Sequence, residues 1–231
     1  MYDAILAESI TITGDGGDTI EAYSARPLDG APRGGVVVIH HMPGYDAICP
    51  NLYWREAPGA DPDDAAATAR AAGGVPDARL VGDIGGAAAY LRSLPSSNGK
   101  VGVIGYCSGG RQSVLAACNL DLDAAVDCYG AYVTGTPPEG FPLKITNLVD
   151  QLPNLRAPLL GLFGNEDLHP SPEHVDELDR ILTEQDKPHE FHRYDDAGHA
   201  FFSTDRPAYR VAAANDGWER IAEFYGKYLG G

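Results

Sequence analysis

The chain has 231 residues, 44% of them hydrophobic and 22% charged, the balance of a globular protein. That length is most simply one domain, residues 1–231, with room for a substantial core. Its 33 acids against 17 bases leave a formal charge of −16, which argues against nucleic acid or an anionic membrane as partner because both would repel it.

The stretch "SITITGDGGDTIEAYSARP" reads as two strands joined by a Gly/Asp turn at Gly14–Asp18. Asp15 and Asp18 alone do not make a calcium loop, since the rest of a ligand set is missing. "GGVVVIHH" (Gly34–His41) is a continuous β-branched run, the mark of a strand buried on both faces. "YDAICPNLY" is a further strand ending at Pro50. Helices are predicted around Pro62–Ala72 and from about Leu80 to Leu94; the glycines of "GDIGG" follow no strand and so do not form a dinucleotide loop. "KVGVIGY" is a strand and "SGGRQSVLAAC" the helix after it, and "AAVDCYG" and "APLLGLFG" are two more buried strands. The Pro/Gly-rich loop Gly135–Pro153 between those last two is placed to roof a pocket.

In "SPEHVDELDRILTEQ", Ser171 caps a helix, Pro172 fits its first turn, and Val175, Leu178, Ile181 and Leu182 share one face. "EFHRY" is the last strand, and the C-terminal helix puts Trp218, Ile221, Phe224, Tyr225 and Tyr228 on its core side. Strands alternating with helices imply an α/β fold whose mostly parallel central sheet carries helices on both faces. One place breaks the pattern. Only about His41–Gly44 separates the strand ending near His40 from the next, whereas parallel neighbours need a crossover of a dozen residues or more. Either this segment pairs unusually or a crossover helix is missing.

"GYCSGG" (Gly105–Gly110) lies between a strand and a helix and has nucleophile-elbow spacing, with Cys107 where a serine is usual. A helix start favours the thiolate, and the Ser108 N–H there can face an oxyanion. His199, in "DDAGHAFF" after the last strand, is the candidate base. His174 reads as a solvated helix residue, and His189 and His192 as structural. "LLGLFGNEDLH" offers Asp167 as the orienting acid, with Glu166 as rival and His169 as a nearby pocket residue. Cys107, Asp167, His199 is the nucleophile–acid–base order of α/β-hydrolases. The other thiols, Cys49, Cys118 and Cys128, form no CxxC pair and no zinc-like cluster, so they read as reduced, buried apolar residues. No metal or other cofactor is expected. No apolar run approaches the roughly 20 residues of a bilayer span, and "MYDAILAES" lacks the regions of a signal peptide, so the expected location is cytoplasmic.

With "CPNLYWREAPG", "SNGKVGVIGYCSGGR", "LGLFGNED" and "YDDAGHAFF", nearly the whole chain resembles the dienelactone hydrolase family of the α/β-hydrolase superfamily. The resemblance implies a Cys107–Asp167–His199 triad, oxyanion amides from Met42 and Ser108, and a small ester or lactone as substrate. It also points to departures. His41 stands where family members place a glutamate that partners the resting thiol. Ser203 stands where a carboxylate-binding arginine is expected, with Arg206 three residues later as a substitute. Relatives carry a helix of roughly two dozen residues where this chain has "HHMPGYD", and its loss would bare apolar sheet for something to cover, a partner subunit in a homo-oligomer being one cover. The rival readings are an impaired hydrolase-fold protein and a thioesterase or peptidase using the same triad.

Overall fold

A computed structural model describes residues 5–28, 31–39 and 46–230. Eight strands form one sheet in the order β1-β2-β4-β3-β5-β6-β7-β8. They are β1 (Ile5–Thr13), β2 (Thr19–Pro27), β3 (Arg33–Ile39), β4 (Asp46–Pro50), β5 (Ser97–Tyr106), β6 (Ala124–Cys128), β7 (Leu159–Gly164) and β8 (His189–Tyr194). β2 runs antiparallel to β1 and β4, while the β3–β4, β5–β6, β6–β7 and β7–β8 pairs are parallel. The helices are α1 (Pro62–Ala71), α2 (Asp77–Ser93), α3 (Ser108–Asn119), α4 (Pro172–Glu184) and α5 (Val211–Tyr228). This is the mostly parallel α/β architecture that the sequence predicts. α2 and β5 each begin three residues earlier than expected, because neither start carries a strong local signal. None of the helices described is long and apolar enough to cross a membrane.

Contacts divide the chain into two compact units. The first comprises, among the described residues, 5–28, 31–39, 46–101 and 137–146. Its core holds the β-branched β3, whose Val36, Val37, Val38 and Ile39 are all at most 2% exposed, and α2, which packs on β1, β3 and β4. Burying each such side chain is worth about 1.5–3 kcal/mol. β3 and β4 pair in parallel, Gly35 opposite Asp46 and Val37 opposite Ile48, with only residues 40–45 between them. A crossover helix is therefore missing here, as the strand spacing implied. The apolar face expected to lie bare does not: Val36–Ile39, Ala47 and Ile48 are all buried. Within this unit Arg55 binds Asp18 and the wholly buried Asp83, each at 2.7 Å, so the Gly14–Asp18 turn is tied to α2. The Lys144 N–H donates to the Gly73 carbonyl, fixing part of the Gly135–Pro153 loop to the α1–α2 connection.

The second unit, residues 102–136 and 147–230, carries α3, α4 and α5 on β6–β8 and the end of β5. The apolar stripe read for α4 is buried, Val175, Leu178, Ile181 and Leu182; on α5 Ile221, Phe224 and Tyr225 are buried, and Trp218 and Tyr228 at the edges of the stripe are half-buried. The Tyr225 hydroxyl donates to the Val103 carbonyl at 2.9 Å, pinning α5 to β5. His174 corrects the sequence reading. It is half-buried and its Nδ1 accepts the Ser171 N–H at 3.3 Å, while the Ser171 side chain accepts the His174 N–H in return, so the two form a capping box with Ser171 as the expected cap.

Candidate active site

Cys107 joins β5 to α3 at φ +57° and ψ −122°, outside the ordinary regions for a residue with a side chain. Such a conformation costs on the order of 1–3 kcal/mol and persists only where neighbours hold it. Here the Cys107 N–H donates to the Cys128 carbonyl at 3.0 Å, and the Gly110 N–H donates to the Cys107 carbonyl at 2.9 Å. The turn is tight enough that a Cβ on Gly105 would lie 1.9 Å from the Gly109 carbonyl oxygen. The result is an exposed thiol at the first turn of a helix.

Asp167 follows β7 and is 4% exposed. One carboxylate oxygen accepts the His169 N–H at 2.8 Å, and the other accepts Nδ1–H of His199, also at 2.8 Å. Backbone bonds bring the two loops together: the Asn165 N–H reaches the Tyr194 carbonyl and the Glu166 N–H the Ala197 carbonyl, each at 2.9 Å. The rival acid Glu166 is exposed, and Asp195 accepts from the Asn165 side chain instead. His169 stacks on Tyr132, ring centroids 5.5 Å apart. His189 and His192 are bound to Asp179 and Glu190, consistent with structural roles.

With Nδ1 taken by Asp167, the other imidazole nitrogen is left for the thiol, and Cys107 and His199 lie close enough to shift each other's titration. Burial pushes the Cys107 thiol up, but His199 and the Ser108 N–H outweigh it and the thiol lies below its usual value. Burial likewise pushes His199 down, and Asp167 and Cys107 together raise it to about 10. Both shifts favour a thiolate–imidazolium pair at neutral pH. The other thiols are inert by comparison. Burial raises Cys118 to about 11 and Cys128 well above its usual range, and Cys49 is half-buried.

Residues 20–229 match the model of the dienelactone hydrolase family. The chain belongs to that family. A protein of Escherichia coli K12, provisionally named a carboxymethylenebutenolidase, is 35% identical over 254 aligned positions, 99% of this chain and 89% of that protein. The carboxymethylenebutenolidase of Pseudomonas putida is 30% identical over 252 positions, 95% of this chain and 96% of that one. A crystal structure from Klebsiella pneumoniae, provisionally called a dienelactone hydrolase, superposes with a TM-score of 0.80 at 29% identity, over 98% of this chain and 100% of that one. As a family member the protein is a carboxylic ester or lactone hydrolase. The E. coli alignment is 23 positions longer than the 231-residue chain, so that relative carries residues absent here, in number about a crossover helix.

Of the site residues the family resemblance implies, Cys107, Ser108, Asp167 and His199 come together, with the Ser108 N–H turned toward the thiol. His41 and Met42 lie outside the described residues. Arg206 is exposed in the loop after Phe202, its N–H bonded to the Ser203 carbonyl. Among the described residues no group of three or more His, Cys, Asp or Glu side chains is placed to hold a metal ion. Sequence reasoning missed Tyr129, whose ring lies against His199. The available signal was its place directly after a parallel strand, at the sheet edge where ligands bind in open α/β folds.

Proposed function

We propose that the protein hydrolyses a small ester or lactone through Cys107 and a thioester intermediate. The observation that carries this reading is the His199–Asp167 bond with Cys107 on the strained turn beside it, the thiol lowered and the imidazole raised. The Cys107 thiolate attacks the carbonyl carbon and forms a C–S bond, while the carbonyl π electrons move onto oxygen. The Ser108 N–H at the start of α3 donates to that oxyanion. The intermediate collapses by breaking the C–O bond, and the departing oxygen takes the proton from the His199 imidazolium. His199, now neutral and held by Asp167, takes a proton from water, whose oxygen attacks the thioester. Breaking the C–S bond returns the thiolate and releases the acid. A thiolate leaves readily, so the chemistry suits an activated ester or enol lactone rather than a stable amide.

Turnover of p-nitrophenyl esters and enol lactones by wild type and Cys107→Ala tests the reading. The variant is expected to lose on the order of 10³-fold or more in kcat. Iodoacetamide should label one cysteine, Cys107, rapidly even near pH 6.5, where an ordinary thiol with a pKa of about 8.5 is mostly protonated. Undiminished turnover in Cys107→Ala, or slow labelling spread over several cysteines, would overturn it.

A further inference from the structure

Tyr129 follows β6 directly and is 2% exposed. Its backbone sits at φ +46°, a strained region for a residue with a side chain. Two hydrogen bonds hold it there. Its own N–H donates to the Leu162 carbonyl at 3.0 Å, and the next N–H, of Gly130, donates to the Asp127 carboxylate at 2.7 Å. In this setting the phenol ring meets the His199 imidazole in a T-shaped contact, centroids 5.2 Å apart and planes at 63°. The same ring contacts Phe201 at 5.2 Å and Phe202 at 6.3 Å, both in the loop that carries His199. One side chain therefore grips both the imidazole and the loop behind it.

That loop needs a grip. Ala200, next to His199, has φ +65°, and Asp196 before it has φ +57°, so it holds its shape only where outside contacts impose it. The bond from His199 Nδ1 to Asp167 fixes one atom of the ring and leaves the ring free to turn about that bond. A contact on the ring removes this freedom. We propose that Tyr129 is a positioning residue for His199, holding the imidazole in line with the Cys107 sulfur by packing on its ring and on Phe201 and Phe202 of the same loop. The assignment rests on reading Cys107 and His199 as nucleophile and base.

Tyr129→Leu removes the ring and keeps an apolar side chain. Its kcat is expected to fall about tenfold, the upper end of what one aromatic contact is worth, with KM within about twofold. The pH midpoint of Cys107 alkylation, followed by mass spectrometry of the labelled peptide, should move upward because the imidazolium no longer holds the thiolate. Phe201→Leu removes the loop ring on which Tyr129 packs, should shift both readouts the same way, and serves if Tyr129→Leu does not fold. Tyr194→Phe is the control. It deletes a hydroxyl bound to Asp216 at 2.9 Å from a ring that also contacts Phe201, and should leave the alkylation profile in place. An unmoved kcat and profile in Tyr129→Leu, or an equal shift in Tyr194→Phe, overturns the role of Tyr129. Wild-type turnover in Cys107→Ala, by contrast, would overturn the nucleophile itself.

Discussion

Asp127 takes a carboxylate into a position with no solvent exposure, beside the first turn of the helix that carries the nucleophile. One oxygen accepts the Gly130 N–H; the other has no hydrogen-bond partner among the described residues. Burial raises this acid from 3.8 to about 7, against the pull of the Gly130 N–H. The sign of the linkage follows. Well below pH 3.8 the group is neutral in both states and costs nothing electrostatic. As pH rises toward 7 the unfolded chain releases a proton that the folded chain keeps, so Asp127 lowers stability by up to about 1.4 kcal/mol per pH unit. Its contribution is thus most favourable in acid and is lost by neutrality. Asp127→Asn keeps an oxygen for the Gly130 N–H and removes the titration. Thermal unfolding at pH 5, 6, 7 and 8 should show the variant gaining on the wild type up to about pH 7 and levelling off by pH 8. Parallel curves for the two proteins would show that Asp127 is ionised in the folded state throughout.

At the scale of elements, α2 explains a pattern that local reading could only exclude. Its glycines are not a phosphate loop but a flat face laid against the β1–β2 turn. A Cβ on Gly86 would lie 1.7 Å from the Thr13 carbonyl oxygen. Each helical glycine costs roughly 1 kcal/mol relative to alanine, and the close approach it permits lets Asp83 accept both the Arg55 guanidinium and the Asp15 N–H at 2.8 Å. Gly86→Ala should therefore destabilise by about 1–3 kcal/mol or more, because backbone must move to admit the methyl group. Gly226 in α5 gives the contrast: it is exposed and a Cβ there meets nothing within 4 Å. Gly226→Ala should stabilise by up to about 1 kcal/mol. Urea unfolding of both variants checks the pair, and a neutral Gly86→Ala would mean that the helix does not lie so close to the turn.

For the whole molecule, what could be read from sequence was what neighbouring residues encode. The β-branched run of β3, the apolar stripes of α4 and α5 and the Gly-x-Cys-x-Gly turn each declare themselves within a dozen residues. The short β3–β4 connection was legible because chain reach sets a hard limit. Tyr129 against His199, His174 in a capping box and Arg55 clasped by Asp18 and Asp83 were not legible, since each depends on partners distant in sequence or on rotamers that packing selects. Charge is a third kind of property, fixed by composition yet felt everywhere at once. A formal charge of −16 sets the folded chain against itself, and salt within a Debye length of about 8–10 Å screens that repulsion. Salt also weakens exposed pairs such as Arg180–Glu184, but each of these is worth only about 0.2–1 kcal/mol. The Arg55–Asp83 pair, with Asp83 wholly buried, is screened much less. The global term should win, so the melting temperature at pH 8 should rise between about 10 mM and 200 mM sodium chloride, within the range where screening changes most. Potassium chloride should give the same rise, because screening depends on ionic strength and not on which cation supplies it. A melting temperature that falls with salt would place the balance of stability in the surface ion pairs instead.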